Sequence, residues 1–244
     1  MLDALRRTGV ATFPGWLEPD RIGELREEIG LYLSGEIDAE LPQGAVRSQA
    51  SAIDMPHVNG PAVRRLAGDA RVRAVLAEVP GVRSGSVSLL SSIYYVKRPG
   101  HRGQPWHQDA FFAPQGFTRV ITCWFALDPA DEAKGCLRVT SQPAARLLPT
   151  SYTSDGSEHV LTHEITAEAL GDLATSEHLL EVETGTMLVL DGLLPHRSMR
   201  NRGARSRRAV VLQFGWASAT PGEAAPTEPT ARTSLRFDAS IQTS

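Results

Sequence analysis

The feature that most limits what this chain can fold into is the texture of its second half. From Gly85 onward, short apolar runs rich in β-branched and aromatic residues alternate with glycine, proline and polar punctuation: VSLLSSIYYVK, RVITCWFAL, CLRVT, TMLVL and RRAVVLQFGW. Several such runs at short, irregular spacing predict an antiparallel sandwich or barrel.

The first half reads differently. Pro19-Asp20 opens an amphipathic helix with Ile22, Leu25, Ile29, Tyr32 and Leu33 on one side and Arg26, Glu27 and Glu28 on the other. A second helical stretch runs from Pro61 to Val79, with a break at Gly68-Asp69 and a stop at Pro80-Gly81. The polar segment 43–59, containing Asp54, Pro56 and His57, reads as a loop. Helices that support a mostly antiparallel sheet make the expected class α+β, mainly β, with a double-stranded β-helix (jelly roll, cupin-like) core. A length of 244 residues and 41% hydrophobic content suit one buried core, so a single domain over 1–244 is expected. Within it, 1–84 is helical support, 85–216 the core with a long polar insertion near 151–178, and 217–244 a loosely held tail rich in Ala, Thr, Pro, Gly and Ser.

Composition removes some function classes. The net charge of −3, with both signs interspersed, gives no basic stripe for a nucleic acid. No run approaches the roughly 18 apolar residues of a membrane span. The start, MLDALRRTGVATF, has no apolar h-region, so the expected location is cytoplasmic. Cys123 and Cys136 sit in apolar stretches and read as buried free thiols. Lys97 and Lys134 are the only lysines, an arginine bias that fits a GC-rich bacterial genome.

Three residues carry the chemistry. His107 and Asp109, in Trp106-His107-Gln108-Asp109 at the expected end of the strand that begins near Val87, are two apart, so an extended chain presents an imidazole nitrogen and a carboxylate oxygen to one side. His196, after the strand and turn TMLVLDGLLP, is the best third ligand. Two histidines and one carboxylate on one face of an octahedral ion leave three positions open, the facial triad of non-haem Fe(II) oxygenases. An HxD pair alone is weak; the conjunction with the region after His196 gives it weight. Arg207 stands eleven residues beyond His196 at the start of AVVLQFGW, where it could grip the far carboxylate of a dicarboxylic acid, with the Ser198 hydroxyl adding a bond. Strand alternation puts Arg205 and Arg207 on one side with Ala209 and Val211, and Arg208, Val210, Leu212 and Phe214 on the other.

These residues resemble the phytanoyl-CoA dioxygenase family of Fe(II)/2-oxoglutarate oxygenases. The likeness rests on WHQD at 106–109, Trp124 fifteen residues after Asp109, GCLRV at 135–139, HxSxxNxxxxxR from His196 to Arg207, and the N-terminal helices, and it spans roughly 8 to 216. It implies His107, Asp109 and His196 as iron ligands, Arg207 and Ser198 on the distal carboxylate of 2-oxoglutarate, and Gln108 and Trp124 near that cosubstrate. Fe(II), 2-oxoglutarate and O2 are therefore the expected cofactors. The reaction implied is hydroxylation, desaturation or oxidative ring closure coupled to succinate formation. Halogenases of this broad class lack a carboxylate at the position of Asp109. One departure is GCLRVTSQPAA, which stands where the family has GxLxVxPGSH and lacks that turn and its histidine.

Other residues stay open on sequence alone. Lys97 can face the cavity or simply end its strand, and a strand tryptophan such as Trp124 is more often core than ligand contact. Tyr95, Phe111, Phe112 and Arg119 suit a substrate pocket or a core equally. His57, His101, His159, His163 and His178 read as loop or surface residues. The expected partner is a small molecule, a glycosylated or polyketide-like bacterial metabolite, bound by a monomer or homodimer without nucleic acid or membrane. A cupin-type isomerase or 2-oxoglutarate-independent dioxygenase is the competing enzyme, and a 2-oxoglutarate-binding sensor the non-enzymatic alternative.

Overall fold

Alternating side chains set the layers of this protein. The computed structural model describes residues 2–38, 51–79, 87–114, 116–152, 163–217 and 235–237. The N-terminal part contains α1 (Leu2–Thr8), β1 (Val10–Phe13), α2 (Pro19–Ser34), β2 (Ala52–Asp54), α3 (Pro61–Ala67) and α4 (Ala70–Ala77). Then come β3 (Val87–Lys97), β4 (Gln104–His107), β5 (Phe117–Ala126), β6 (Leu137–Val139), β7 (Thr150–Tyr152) and β8 (His163–Ile165). The chain continues through α5 (Ala167–Leu170), β9 (His178–Leu180), β10 (Met187–Asp191), β11 (His196–Ser198), β12 (Arg207–Ala217) and β13 (Leu235–Phe237).

The major sheet runs β1-β10-β5-β12-β3-β13, with β2 also on β3, and a smaller sheet runs β4-β11-β6-β9. Every named pairing is antiparallel. This is the expected jelly roll: two sheets, with helices against the outer face of the larger one. On that outer face Tyr94, Val96, Ile121, Cys123, Phe125, Val210, Leu212 and Phe214 pack against Leu5, Ile22, Leu25, Ile29, Leu66, Val72 and Leu76 of the four helices. The inner face offers Trp124, Ala126, Leu188, Leu190, Ala209 and Val211 to Leu137 and Val139 of the smaller sheet. The inward set on β12 is thus the one strand alternation predicts. Fully buried leucines such as Leu25 and Leu66 each contribute on the order of 2 kcal/mol by leaving water.

Several local expectations are corrected. Within 43–59, the described residues form β2 on the edge of β3 and a 3-10 turn over Pro56–Val58. His57 is buried, its Nδ1 2.7 Å from Ser92 Oγ. Glu28, expected on the polar side of its helix, is buried as well. It accepts from Ala62 N at 2.6 Å, Val63 N at 3.2 Å and the Tyr94 hydroxyl at 2.7 Å. It therefore satisfies open N–H groups at the start of α3 from across the helix pair.

The 151–178 stretch is not wholly irregular. β7 pairs with β8, and Ile165 of β8 packs with Trp106 and Leu170. Residues 153–162 lie outside the described set. So does most of the 217–244 tail, of which Leu235–Phe237 pairs with β3.

Candidate metal and cosubstrate site

The HxD pair does not end the long strand that begins at Val87. A turn at Pro99-Gly100 separates β3 from β4, which belongs to the other sheet. His107 closes β4 directly opposite His196, the first residue of β11, and their ring centroids are 4.1 Å apart. Gln108 is extended (φ −123°, ψ 130°), so Asp109 returns to the same side before a 3-10 turn over Asp109–Phe112. That turn is tied to the core by Ala110 N donating to Gly192 O at 3.0 Å.

His107, Asp109 and His196 are all buried, and one donor atom from each lies within 4.8 Å of the others. His107 Nε2 is 3.9 Å from Asp109 Oδ1, and His196 Nε2 is 3.8 Å from Asp109 Oδ2. Both Nδ1 atoms are engaged with carbonyls, His107 with Pro105 O at 2.8 Å and His196 with Leu194 O at 3.0 Å. A proton on each Nδ1 leaves the Nε2 lone pairs facing the carboxylate, the tautomer a metal needs. Burial first, and the neighbouring His196 second, push His107 below the ordinary imidazole range and favour this neutral form. Thr122 Oγ1 donates to Asp109 Oδ2 at 2.5 Å and fixes the carboxylate.

At the other end of the same cavity stands Arg207, 3% exposed. Its Nη1 donates to Gly135 O at 3.2 Å, its guanidinium carbon lies 5.4 Å from the Trp124 ring centre, and its buried Nε has no partner among the described residues. Lys97 is also buried, donating to Ser198 Oγ at 2.8 Å and Met199 O at 2.8 Å. Gly135 makes the corner possible: at φ +68°, an added Cβ would fall 2.2 Å from Met199 O. Among the described residues neither cation meets a carboxylate. A buried arginine with an orphaned N–H beside a buried lysine suits a dicarboxylate ligand, and three converging N/O donors suit iron.

The cavity is lined by Tyr95, Gln104, His107, Asp109, Thr122, Trp124, Leu137, Leu190, His196, Arg207, Val211 and Gln213. Of the expected site residues, the structure brings the three donors, Trp124 and Arg207 onto its wall. Lys97 and Ser198 stand behind it, the serine hydroxyl accepting from Lys97 and from Gln104 N at 3.2 Å. Gln108 is absent from the wall. Its amide donates to Leu193 O at 2.7 Å and Arg146 O at 3.2 Å and accepts from Leu148 N at 2.8 Å, so it braces neighbouring loops. Arg119 is paired with Asp191 at 2.7 Å and does not line the cavity.

Thr122, Gln104 and Gln213 were missed by sequence reasoning. Alternation could have found two of them, since Thr122 shares a face with Trp124, and Gln213 continues the series 207, 209, 211. The Gln213 side chain forms no hydrogen bond with any described residue, which leaves a polar amide available in the chamber.

The sequence profile of the phytanoyl-CoA dioxygenase (PhyH) family matches residues 5–209. The chain belongs to the phytanoyl-CoA dioxygenase family. Among curated relatives, a 2-aminoethylphosphonate dioxygenase from an uncultured bacterium (HF130_AEPn_1) is 28% identical over 127 residues, 48% of this chain and 42% of that protein. Phytanoyl-CoA dioxygenase 1 of Oryza sativa subsp. japonica is 28% identical over 126 residues, 51% of this chain and 43% of that protein. The matched region thus spans less than half the length of either relative.

Solved structures share the fold. EctD from S. alaskensis, with 2-oxoglutarate and 5-hydroxyectoine, superposes with a TM-score of 0.71 at 21% identity, over 88% of this chain and 74% of that one. EvdO2 from Micromonospora carbonacea var. aurantiaca, complexed with 2-oxoglutarate, gives 0.68 at 21% identity, over 91% and 93%. The carbocyclase SnoK from nogalamycin biosynthesis gives 0.69 at 17% identity, over 88% and 82%. No helix among the described residues is long and apolar enough to cross a membrane.

Proposed function

We propose that this family member is a non-haem Fe(II)/2-oxoglutarate-dependent oxygenase acting on a C–H bond of a small molecule. One observation carries the reading: a single cavity has three buried donors at one end and, at the other, a buried arginine with an uncommitted N–H. His107, Asp109 and His196 would hold iron by one face. Iron with 2-oxoglutarate supplies oxidative decarboxylation to succinate and carbon dioxide and the oxidising power for C–H cleavage.

The chain's own residues supply orientation. Arg207 takes the far carboxylate, the Trp124 ring flanks the guanidinium, and Lys97 adds a second positive charge behind it. Thr122 holds Asp109 in the rotamer that faces both histidines. Gln213 offers its free amide to a polar group of the substrate. The finer reading is hydroxylation, desaturation or ring closure of a bacterial specialised metabolite. It draws support from the carboxylate at Asp109 and from the likeness in fold to enzymes such as SnoK.

The test is anaerobic reconstitution with Fe(II), addition of 2-oxoglutarate and air, and measurement of succinate. Iron-dependent succinate is expected, with the product of the true substrate gaining one oxygen or losing two hydrogens. No succinate above the iron-free control, or full turnover by His107→Ala, would overturn the reading.

A further inference from the structure

A line of aromatic rings leads from the metal end of the cavity to solvent. The His107 and Phe112 rings are 6.2 Å apart at 64°, Phe112 and Phe111 5.1 Å at 85°, Phe111 and His163 5.7 Å at 39°, and His163 and Tyr152 5.7 Å at 89°. Its outer members are exposed: Phe111 is 39%, Phe112 47% and Tyr152 70% accessible. Single exposed apolar residues need no explanation, but contiguous ones mark a binding surface.

This surface is assembled from two separately anchored elements. Phe111 and Phe112 sit on the 3-10 turn that Ala110 ties to Gly192. Tyr152 and His163 are opposite each other in the β7–β8 hairpin, which Ile165 secures against Trp106 and Leu170. Two anchored elements converge to build one wall, and its inner end is a proposed iron ligand.

We infer that this wall is a substrate-docking site for a planar unsaturated ring, held beside the metal end of the cavity. The inference rests on the oxygenase reading above. The ring spacings fall within the 4.5–7 Å of stacked and edge-to-face pairs, and Phe111, Phe112 and Tyr152 each keep a substantial part of their surface exposed. A flat ring can extend such a row with face or edge. A puckered saturated ring has no π face and gains only dispersion.

The test uses full-length protein loaded anaerobically with Fe(II) and 2-oxoglutarate, and two probes with one carbon skeleton: naphthalene-2-carboxamide and its saturated counterpart decalin-2-carboxamide. Methyl β-glucoside is the sugar control. Binding is read by ligand-observed NMR, and the visible charge-transfer band of the iron–2-oxoglutarate chelate is recorded in the same samples. The naphthalene probe is expected to bind about tenfold tighter than either control. Phe111→Ala and Tyr152→Ala should each weaken it about three- to tenfold while the band is retained.

Equal or tighter binding of decalin or glucoside, no naphthalene binding at millimolar concentration, or unchanged binding by the Phe111→Ala/Tyr152→Ala double variant would overturn the inference. So would a wild-type dimer that the double variant dissolves, because the wall would then be an interface between copies. A wild-type protein without the charge-transfer band would instead overturn the iron and 2-oxoglutarate reading itself.

Discussion

Lys97 and Arg207 are register partners on the paired strands β3 and β12, both buried, and neither meets a carboxylate among the described residues. Burial first, and the Arg207 charge second, bring the Lys97 ammonium down to about 6. Without ligand, then, Lys97 is mostly neutral at pH 7.5. A dicarboxylate in the cavity reverses the balance and raises its pKa.

Binding of 2-oxoglutarate should therefore take up close to one proton at pH 7.5. Affinity should fall as pH rises from about 6, by at most about tenfold per pH unit, until the raised value in the complex is passed. Calorimetry in two buffers of different ionisation enthalpy measures the uptake. Lys97→Met should abolish it, and the absence of uptake in the wild type would refute the coupling. The sign for folding follows from the same shift. A lysine whose folded value is depressed binds fewer protons than the unfolded chain, so the unliganded fold gains stability as pH rises from about 6 towards 10.5. That slope should flatten in Lys97→Met.

Arg207 is the group whose loss should cost most in cosubstrate affinity. Truncating one partner of a buried, hydrogen-bonded charge pair costs about 2–5 kcal/mol, which is roughly 30-fold to several thousand-fold in affinity. Arg207→Gln should show that loss in a titration of the charge-transfer band, with the melting temperature little changed. Arg207→Lys should recover only part of it, because an ammonium cannot make two parallel bonds to one carboxylate. Wild-type affinity in Arg207→Gln would remove Arg207 from the site.

Thr122 is placed to act on a bound iron through Asp109. Its hydroxyl donates to Oδ2 at 2.5 Å, and partners of this kind typically contribute 10- to 100-fold in metal affinity. Thr122→Val keeps the shape and β preference of the side chain and removes the donor. Iron affinity, measured against a competing chelator, should drop within about that range, while Thr122→Ser should restore most of it. A valine variant with unaltered iron affinity would reduce Thr122 to packing.

Much of this arrangement was legible because strands have a period of two. Once Trp124 and Arg207 are taken as inward, Thr122, Ala126, Ala209 and Val211 follow. Residues whose role depends on distant backbone were not legible. Gln108 sits inside the WHQD motif, yet its amide is engaged by Arg146, Leu148 and Leu193, brought near by loop closure. The Ser198 hydroxyl accepts from Lys97, 101 residues away in sequence, a partner that no local pattern announces. The sheet to which His107 belongs was missed for a related reason. The turn at Pro99-Gly100 moves the chain to the second sheet, and no periodicity in a four-residue strand records that.

Glu28 was the clearest failure of helical patterning, and it makes the last prediction. An acidic residue in an amphipathic helix is expected to face water, yet this one is 3% exposed and takes three donors from α3 and β3. Two of the donors are backbone N–H groups in the first turn of α3, which no other described side chain accepts from. Glu28→Ala would leave those groups and the Tyr94 hydroxyl buried without a partner, at about 1–3 kcal/mol for each uncompensated group, less whatever water recovers. A net loss of roughly 2–4 kcal/mol in chemical denaturation is expected, within the range for breaking a buried network. Glu28→Gln retains an acceptor and should lose less than half as much. Because Glu28 lies on the helical side of the major sheet, iron and 2-oxoglutarate binding by the folded fraction should be unaffected. A Glu28→Ala protein as stable as wild type would show that the helices do not depend on this carboxylate.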